Sequence, residues 1–530
     1  MSSKFKVLIA DNLDSEGVEI LEKSGLIEVD FRKKTSREEL LDIIPQYDGL
    51  IVRSASKVDS EVVERASRLK VVIRAGVGVD NIDIAACSRK GIVVMNAPAG
   101  NSVSTAEHAL ALLFAVARKI PQAHMSMHAK KWEKAKFTGT QLTGKTLGVI
   151  GLGRIGKEVA IRALGLKMNV LGYDPYIPRE NLEYLQIELT TLDDIFRRAD
   201  FITVHTPLTE STSHMINLNN LHKLKKGVKI INCARGGIFE EKALAEGIKQ
   251  GIISGVGIDV FVEEPPSPDM PLYGLEEAVL TPHLGASTDE AQLEVAKETA
   301  QSMVEFVRSG VARNSLNFPT LDAEEMGMLK PWFHLCEKLG VFAAQVMPEA
   351  LSSVHMELRG AIVTKNLKAL EIALTKGVLT PALGEEVNLV NAPLLAKQRG
   401  LSISSFVAEE TKEEPSRLRL VLGDGRREKV LVATVDSLGG LVMSINDIPL
   451  EFRPEGHMLF IRNKDVPKVV GELGLLLGEA NVNIASLHLG RDVKGGTAMT
   501  IISLDDAVPP HVLEKIKAKD YIVELHYITI

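Results

Sequence analysis

Short apolar runs separated by polar-faced segments set the rhythm of the first hundred positions. "KVLIA", "GLIEVD", "GLIVR", "LKVVIRAG" and "GIVVMNAP" read as strands, with helical "SREELLDII" and "DSEVVERAS" between them. Strands alternating with helices predict a parallel sheet covered by helices. "NAPAGNS" punctuates this pattern, and "STAEHALALLFAVARKI" after it reads as a long apolar helix. Ser104 and Glu107 are spaced as a capping box at its start. A long helix after a turn-rich break reads as a crossover between domains.

From Lys145 the rhythm restarts with "KTLGVIG", "NVLGYD", "DFITVHTP", "VKIINCA", "SGVGIDVF" and "AVLTPH", a second and larger doubly wound unit. The helix expected over Asp289–Ser309 would carry the chain back to the first domain, making that domain discontinuous. Near "NFPTLDAEEMGMLKPW" helices mix with a β-rich part that runs from "RLRLVLGD" to "LVMSINDIPL". The last segment reads β-α-β-β-α-β, a small ferredoxin-like sandwich. The expected division is 1–98 with 286–317, then 99–285, 318–452 and 453–530.

A chain of 530 residues agrees with about three to four domains. Its net charge of −7 is mild and mixed in sign, which argues against a nucleic-acid or membrane surface. Cys87, Cys233 and Cys336 form no CxxC and point to a reducing compartment, with no disulfide framework and no metal site. "MSSKFKVLIADNLD" enters a strand at once, and no apolar run is long enough to span a bilayer, so a cytoplasmic protein is expected.

"TLGVIGLGRIGKEVA" places Gly151, Gly153 and Gly156 in a G-x-G-x-x-G between an apolar strand and a helix. Such glycines permit the tight turn and the approach of a pyrophosphate to helix N–H groups. The next strand ends at Asp174, where an acid accepts ribose hydroxyls and repels a 2′-phosphate. NAD is therefore expected over NADP.

Three later strand ends carry Arg235, Glu264 and His283. Singly they read as a loop cation, a turn cap and a packed histidine. Together, beside a nicotinamide, they read as a set for alcohol oxidation. Histidine takes the hydroxyl proton, a carboxylate supports the imidazolium, and a guanidinium forks onto a substrate carboxylate. The implied substrate is a 2-hydroxy acid.

"GLGRIG", "YDP", "HTPLTEST", "NCARGG", "DVFVEEPP" and "PHLGAST" resemble the D-isomer-specific 2-hydroxyacid dehydrogenases. The resemblance implies Arg235 as substrate binder, His283 as acid/base and Glu264 as its partner. It implies cofactor contacts at Arg154, Ile155, Asp174, Thr206, Cys233, Ala234, Asp259, His283 and Ala286. The fold it implies is a Rossmann NAD domain (99–285) inserted in a flavodoxin-like substrate domain, followed by an α+β intervening domain and a ferredoxin-like ACT domain.

A phosphorylated 2-hydroxy acid needs more than one arginine. Arg53 and Ser54 in "IVRSAS", and Arg74, Val77 and Gly78 in "IRAGVGVDNID", lie at strand ends of the first domain. The alternative reading of Arg53 and Arg74 is a pair of surface cations. Asn101 and Ser102 open the crossover helix, and Lys134 and Lys136 match a basic segment that the family contributes across a subunit interface. Hinges are expected at Asn96–Val103 and Leu284–Ser287. The resemblance then implies NAD-dependent oxidation of 3-phospho-D-glycerate to 3-phosphohydroxypyruvate, the first step of L-serine biosynthesis, by a dimer or tetramer. Another D-2-hydroxyacid dehydrogenase and an NAD-sensing corepressor are the rival readings.

Residues 455–530 resemble an ACT module, with Asn463, Asp465 and Asn483 placed to hold an amino-acid effector such as L-serine. Its usual Arg-Pro-Gly is replaced by Val466-Pro467-Lys468. The ligand of the intervening domain stays open.

Overall fold

The computed structural model describes residues 4–182, 184–319, 323–347, 351–360, 366–408, 415–425 and 428–530. The first sheet holds β1 (Phe5–Ile9), β2 (Ile27–Phe31), β3 (Gly49–Val52), β4 (Val71–Arg74) and β5 (Val93–Asn96), all parallel, in the order β2-β1-β3-β4-β5. β3 is buried along its whole length, as expected of a strand covered on both faces.

The second sheet holds β6 (Thr146–Ile150), β7 (Asn169–Tyr173), β8 (Glu188–Leu189), β9 (Phe201–Val204), β10 (Val228–Asn232), β11 (Ile253–Ile258) and β12 (Ala278–Leu280). Its order, β12-β11-β10-β9-β6-β7-β8, reverses between β6 and β9. In open α/β sheets ligands bind at such a switch point, beyond the carboxyl ends of the strands.

Two long helices join the sheets. Helix Ser102–Arg118 leaves the first domain and packs Ala109, Leu112 and Val116 into the second domain's core. Helix Asp289–Ser309 returns, burying Val295, Ala296, Ala300 and Met303 among the strands of the first. The expected capping box does not form. The helix begins at Ser102, and its Asn101 cap makes no side-chain bond. Ser104 lies inside the first turn and meets Thr288 Oγ1 at 2.8 Å, while Glu107 pairs with Arg162. The turn at 99–101 starts the helix early enough that Ser104 can reach across the hinge.

The third sheet is mixed: β13 (Ser353–Arg359), β14 (Ser402–Val407), β15 (Arg417–Gly423), β16 (Glu428–Asp436), β17 (Gly439–Ile445) and β18 (Ile448–Phe452). It runs β14-β13-β15-β16-β17-β18, and only β13 and β14 pair in parallel. The alternation in "SVHMELR" is the signal for β13, since Val354, Met356 and Leu358 are its fully buried residues. Helices Ala323–Val346 and Leu367–Leu383 cover the sheet. They cross closely because Gly340 and Gly377 carry no side chain. A Cβ on Gly377 would overlap the carbonyl of Glu337.

The last sheet, β19 (His457–Lys464), β20 (Ile484–Arg491), β21 (Thr497–Leu504) and β22 (Ile522–Thr529), is antiparallel in the order β20-β21-β19-β22. Both of its faces are covered. Leu459 and Ile461 face this module's own helices, whereas Met458 and Phe460 enter the core of the intervening domain. The continuous apolar run "MLFI" follows from that double burial. Among the described residues no helix is long and apolar enough to cross a membrane.

Gly377→Ala should separate the two covering helices and destabilise the intervening domain by about 1–3 kcal/mol. The denaturant midpoint of its unfolding transition should fall. Gly327→Ala is the control: its site is exposed with open space around it, so the midpoint should stay level or rise.

Candidate active site

The carboxyl ends of both sheets supply the chemistry. Arg53 follows β3, while Arg74 and Asn96 close β4 and β5. Opposite them Gly151 follows β6, Asp174 follows β7, Thr206 follows β9, Arg235 follows β10, Asp259 follows β11 and His283 follows β12.

The nucleotide end fits NAD. Gly151 has φ 88° and lies against the carbonyl of His205, so a side chain there is excluded on both counts. Gly156 packs onto the carbonyl of Gly151, while the space above Gly153 is open. Helix Arg154–Gly165 starts there without a side-chain cap, leaving first-turn N–H groups for a pyrophosphate. Asp174 already accepts from Leu152 N–H (2.9 Å) and Tyr176 N–H (2.9 Å), which fixes its carboxylate at the turn. Two buried polar atoms lining the switch point, His205 Nδ1 and Thr206 Oγ1, have no partner. Burial lowers the His205 pKa to about 3, so the ring is neutral.

His283 and Glu264 meet through Nδ1 and Oε2 at 2.7 Å. Glu264 Oε1 also accepts from Phe261 N–H at 3.2 Å, which fixes the carboxylate. His283 is held in the left-handed region at φ 54°, an unfavourable conformation for a residue with a Cβ. Its N–H donates to the Asp259 carbonyl at 2.9 Å. The Asp259 side chain adds the rest of the support. Oδ1 accepts from Thr281 Oγ1 (2.6 Å) and Leu284 N–H (2.8 Å), and Oδ2 from Gly285 N–H (2.9 Å). Burial raises its pKa, but bonds from His108, Thr281 and Leu284 outweigh this and hold it below the usual carboxylate range. Asp259, expected as a cofactor contact, is buried and braces the loop that carries His283. Ala286 lies just past that brace.

Sequence reasoning missed His108, whose Nε2 is 3.1 Å from Asp259 Oδ1. With Cys233 these groups form a cluster close enough to hold a metal ion. Asp259 is already engaged by four donors, however, and burial raises the Cys233 thiol well above its ordinary pKa. A cavity of about 380 Å³ opens beside His283 and Glu264, walled by Phe261, Tyr273 and Pro282.

Across the cleft, "RAGVGVD" arranges a cationic wall. Gly76 and Gly78 have no Cβ, and this leaves room for two guanidinium groups against the backbone. A side chain on Gly76 would overlap Arg74 Nη1, and one on Gly78 would overlap Arg235 Nη2. Asn96 Nδ2 donates to the Val77 carbonyl at 2.7 Å and fixes the loop. Among the described residues the N–H groups of Val77 and Gly78 have no hydrogen-bond partner. Desolvation, then the charge of Arg235, lowers the Arg74 pKa to about 10, and its buried Nε has no partner. Arg53 adds a third positive charge, and its side chain reaches the Asn12 carbonyl at 3.3 Å. Ser54 is exposed beside it. Asn101 Oδ1 is buried without a partner at the head of the crossover helix.

The loop carrying Arg235 is set by Asn232, also missed in the sequence. Its side chain accepts from Ala234 N–H (2.9 Å) and donates to the Arg235 carbonyl (2.8 Å). Gly236 packs onto the Phe261 backbone, where any Cβ would collide, and Gly237 takes φ 82°.

Lys134 and Lys136 lie at the opposite edge of the second domain, where Lys136 pairs with Glu276 at 3.3 Å, so they do not reach their own cleft. Within one chain the three effector residues do not converge. Asn463 pairs with Ala498 and Asp465 with Gly496, whereas Asn483 bonds Asp505 beyond Leu504. Ala498 and Leu504 are six positions apart along β21, roughly 20 Å of strand. Asn463 is buried, and Asp465 is bound by Arg491 (3.0 Å) and Gly495 N–H (2.8 Å). Lys468 stands at φ 75°, so the loop keeps the backbone conformation that glycine would favour.

Comparison with known proteins agrees with this geometry. Residues 110–285 match the D-isomer specific 2-hydroxyacid dehydrogenase NAD binding domain, 328–441 the D-3-phosphoglycerate dehydrogenase intervening domain and 457–520 the ACT domain. The chain is 42% identical to D-3-phosphoglycerate dehydrogenase of Archaeoglobus fulgidus over 99% of both chains. It is 37% identical to that of Bacillus subtilis over 97% of both. Among solved structures, D-lactate dehydrogenase of Aquifex aeolicus, complexed with NAD and lactic acid, is 27% identical with a TM-score of 0.54. The match covers 59% of this chain and 100% of that one.

Gly78→Ala should displace the Arg235 guanidinium and raise KM for a carboxylate substrate by about 10- to 100-fold. Steady-state kinetics should show a smaller change in the KM for NAD.

Proposed function

Because the chain belongs to the D-isomer-specific 2-hydroxyacid dehydrogenases, we propose that it oxidises 3-phospho-D-glycerate to 3-phosphohydroxypyruvate with NAD, opening L-serine biosynthesis. The observation that carries the substrate is the cationic wall. Arg53, Arg74 and Arg235 converge on one cleft, more positive charge than a lone carboxylate needs. Full-length similarity to D-3-phosphoglycerate dehydrogenases supports the same choice.

Arg235 and the N–H groups of Val77 and Gly78 hold the carboxylate, and Arg53 and Arg74 take the phosphate. Glu264 accepts the Nδ1–H of His283, which leaves the Nε2 lone pair to remove the C2 hydroxyl proton. The imidazolium so formed is stabilised by the Glu264 carboxylate. Gly153 and Asp174 would hold NAD, which would supply the acceptor for the C2 hydrogen and its electron pair. Rotation about the crossover and return helices closes the cleft and excludes water.

The protein acts as a cytoplasmic homo-oligomer in this reading. β20 is an edge strand, and antiparallel pairing with its copy in a second chain would bring Asn483 of one subunit toward Asp465 of the other. That arrangement supports L-serine as an effector held between two ACT modules.

NADH formation should be at least tenfold more efficient with 3-phosphoglycerate than with D-glycerate or D-lactate, and Arg53→Ala should remove about 10- to 100-fold of that preference. A wild-type preference for D-lactate would remove the phosphate assignment. Calorimetry with L-serine should show binding that Asn483→Ala abolishes, and absence of heat together with uninhibited turnover would count against regulation.

A further inference from the structure

The cationic wall contains one acid that the proposed chemistry does not use. Asp80 stands two residues beyond Gly78, and its side chain is 79% exposed. Its Oδ2 nevertheless lies 3.0 Å from Arg235 Nε. Asp80 comes from the first domain and Arg235 from the second, so this ion pair spans the cleft. Arg235 Nη1 meanwhile donates to the Ala234 carbonyl at 2.7 Å, and Nη2 rests over Gly78. The fork assigned to a substrate carboxylate is already engaged by an internal one.

The other acid near these arginines is not comparable. Asp11 is buried and accepts from the backbone of Arg53 and from Ser56 Oγ at 2.8 Å, so it is committed to the first domain. Asp80 is the acid near Arg74 and Arg235 whose carboxylate faces solvent. An exposed ion pair of this kind is weak and readily exchanged for another anion.

We propose that Asp80 is a positioning residue that stands in for the substrate carboxylate, holding Arg235 in register in the empty cleft and releasing it when an anionic substrate enters. The assignment rests on reading the cleft as a 2-hydroxyacid dehydrogenase site. Binding is then an exchange of one carboxylate for another. A neutral alcohol cannot displace Asp80, and small inorganic anions meet its negative charge before they reach Arg235. On product departure Asp80 retakes the fork, which favours release.

The test compares Asp80→Asn and Asp80→Glu with wild type. Oxalate, which mimics the reacting end of a 2-oxo acid, is titrated into the enzyme–NADH complex and followed by NADH fluorescence. Removal of the competing charge should tighten oxalate about two- to fivefold in D80N. KM for 3-phosphohydroxypyruvate should fall by a similar factor while kcat falls or stays level, and D80E should behave as wild type. A residue that merely supports the structure would give the opposite sign, so oxalate binding that is unchanged or weaker in D80N overturns the proposal. The oxalate titration needs no turnover. Tighter binding in D80N without activity on phosphorylated substrates would uphold Asp80 and overturn the substrate assignment alone.

Discussion

Arg53, Arg74 and Arg235 bring three positive charges to one cleft, and like charges at short range stay together only if the fold holds them there. Each arginine is placed by its strand end, and Arg235 also pairs with the exposed Asp80. Arg74 is the extreme case, because desolvation and the neighbouring arginines both oppose its charge. Gly76 and Gly78 let two guanidinium planes lie on the backbone where any side chain would exclude them. The resulting excess of positive potential is what suits the site to a substrate bearing two anionic groups.

The facing wall is built to a different rule, with the loop that carries His283 tied down. Asp259 spends its buried carboxylate on a hydroxyl, a ring nitrogen and two backbone N–H groups, so His283 can be kept at an unfavourable φ. The two walls are joined by the crossover and return helices, which touch each other near the cleft. Ser104 meets Thr288, and Glu298 accepts from Ala99 N–H at 3.0 Å.

The carboxyl-terminal half is mechanically continuous with this machinery. The intervening and ACT modules share one core across Phe342, Phe452 and Phe460, and Lys429 reaches Glu524 at 2.6 Å between them. Val390 enters the hydrophobic core of the first domain, while Asn388 donates to the Gly91 carbonyl at 3.1 Å. The ACT module therefore has a packed route to the domain that carries Arg53 and Arg74. A bistable element along that route is the physical requirement for regulation.

The sequence by itself determined the two doubly wound units, the glycine turn and the Arg235, Glu264 and His283 set, because apolar periodicity and strand-end chemistry are local properties. β13 was equally legible in "SVHMELR" but lay inside a segment of mixed pattern. Only the tertiary structure decided what those groups meet. It tied Asp259 to the loop of His283, packed Gly236 on the Phe261 backbone, and joined Arg235 to Asp80 across two domains. It also separated Asn463 and Asp465 from Asn483 at opposite ends of one strand. Such partners are fixed by packing between residues far apart in the chain, and no local pattern carries that information.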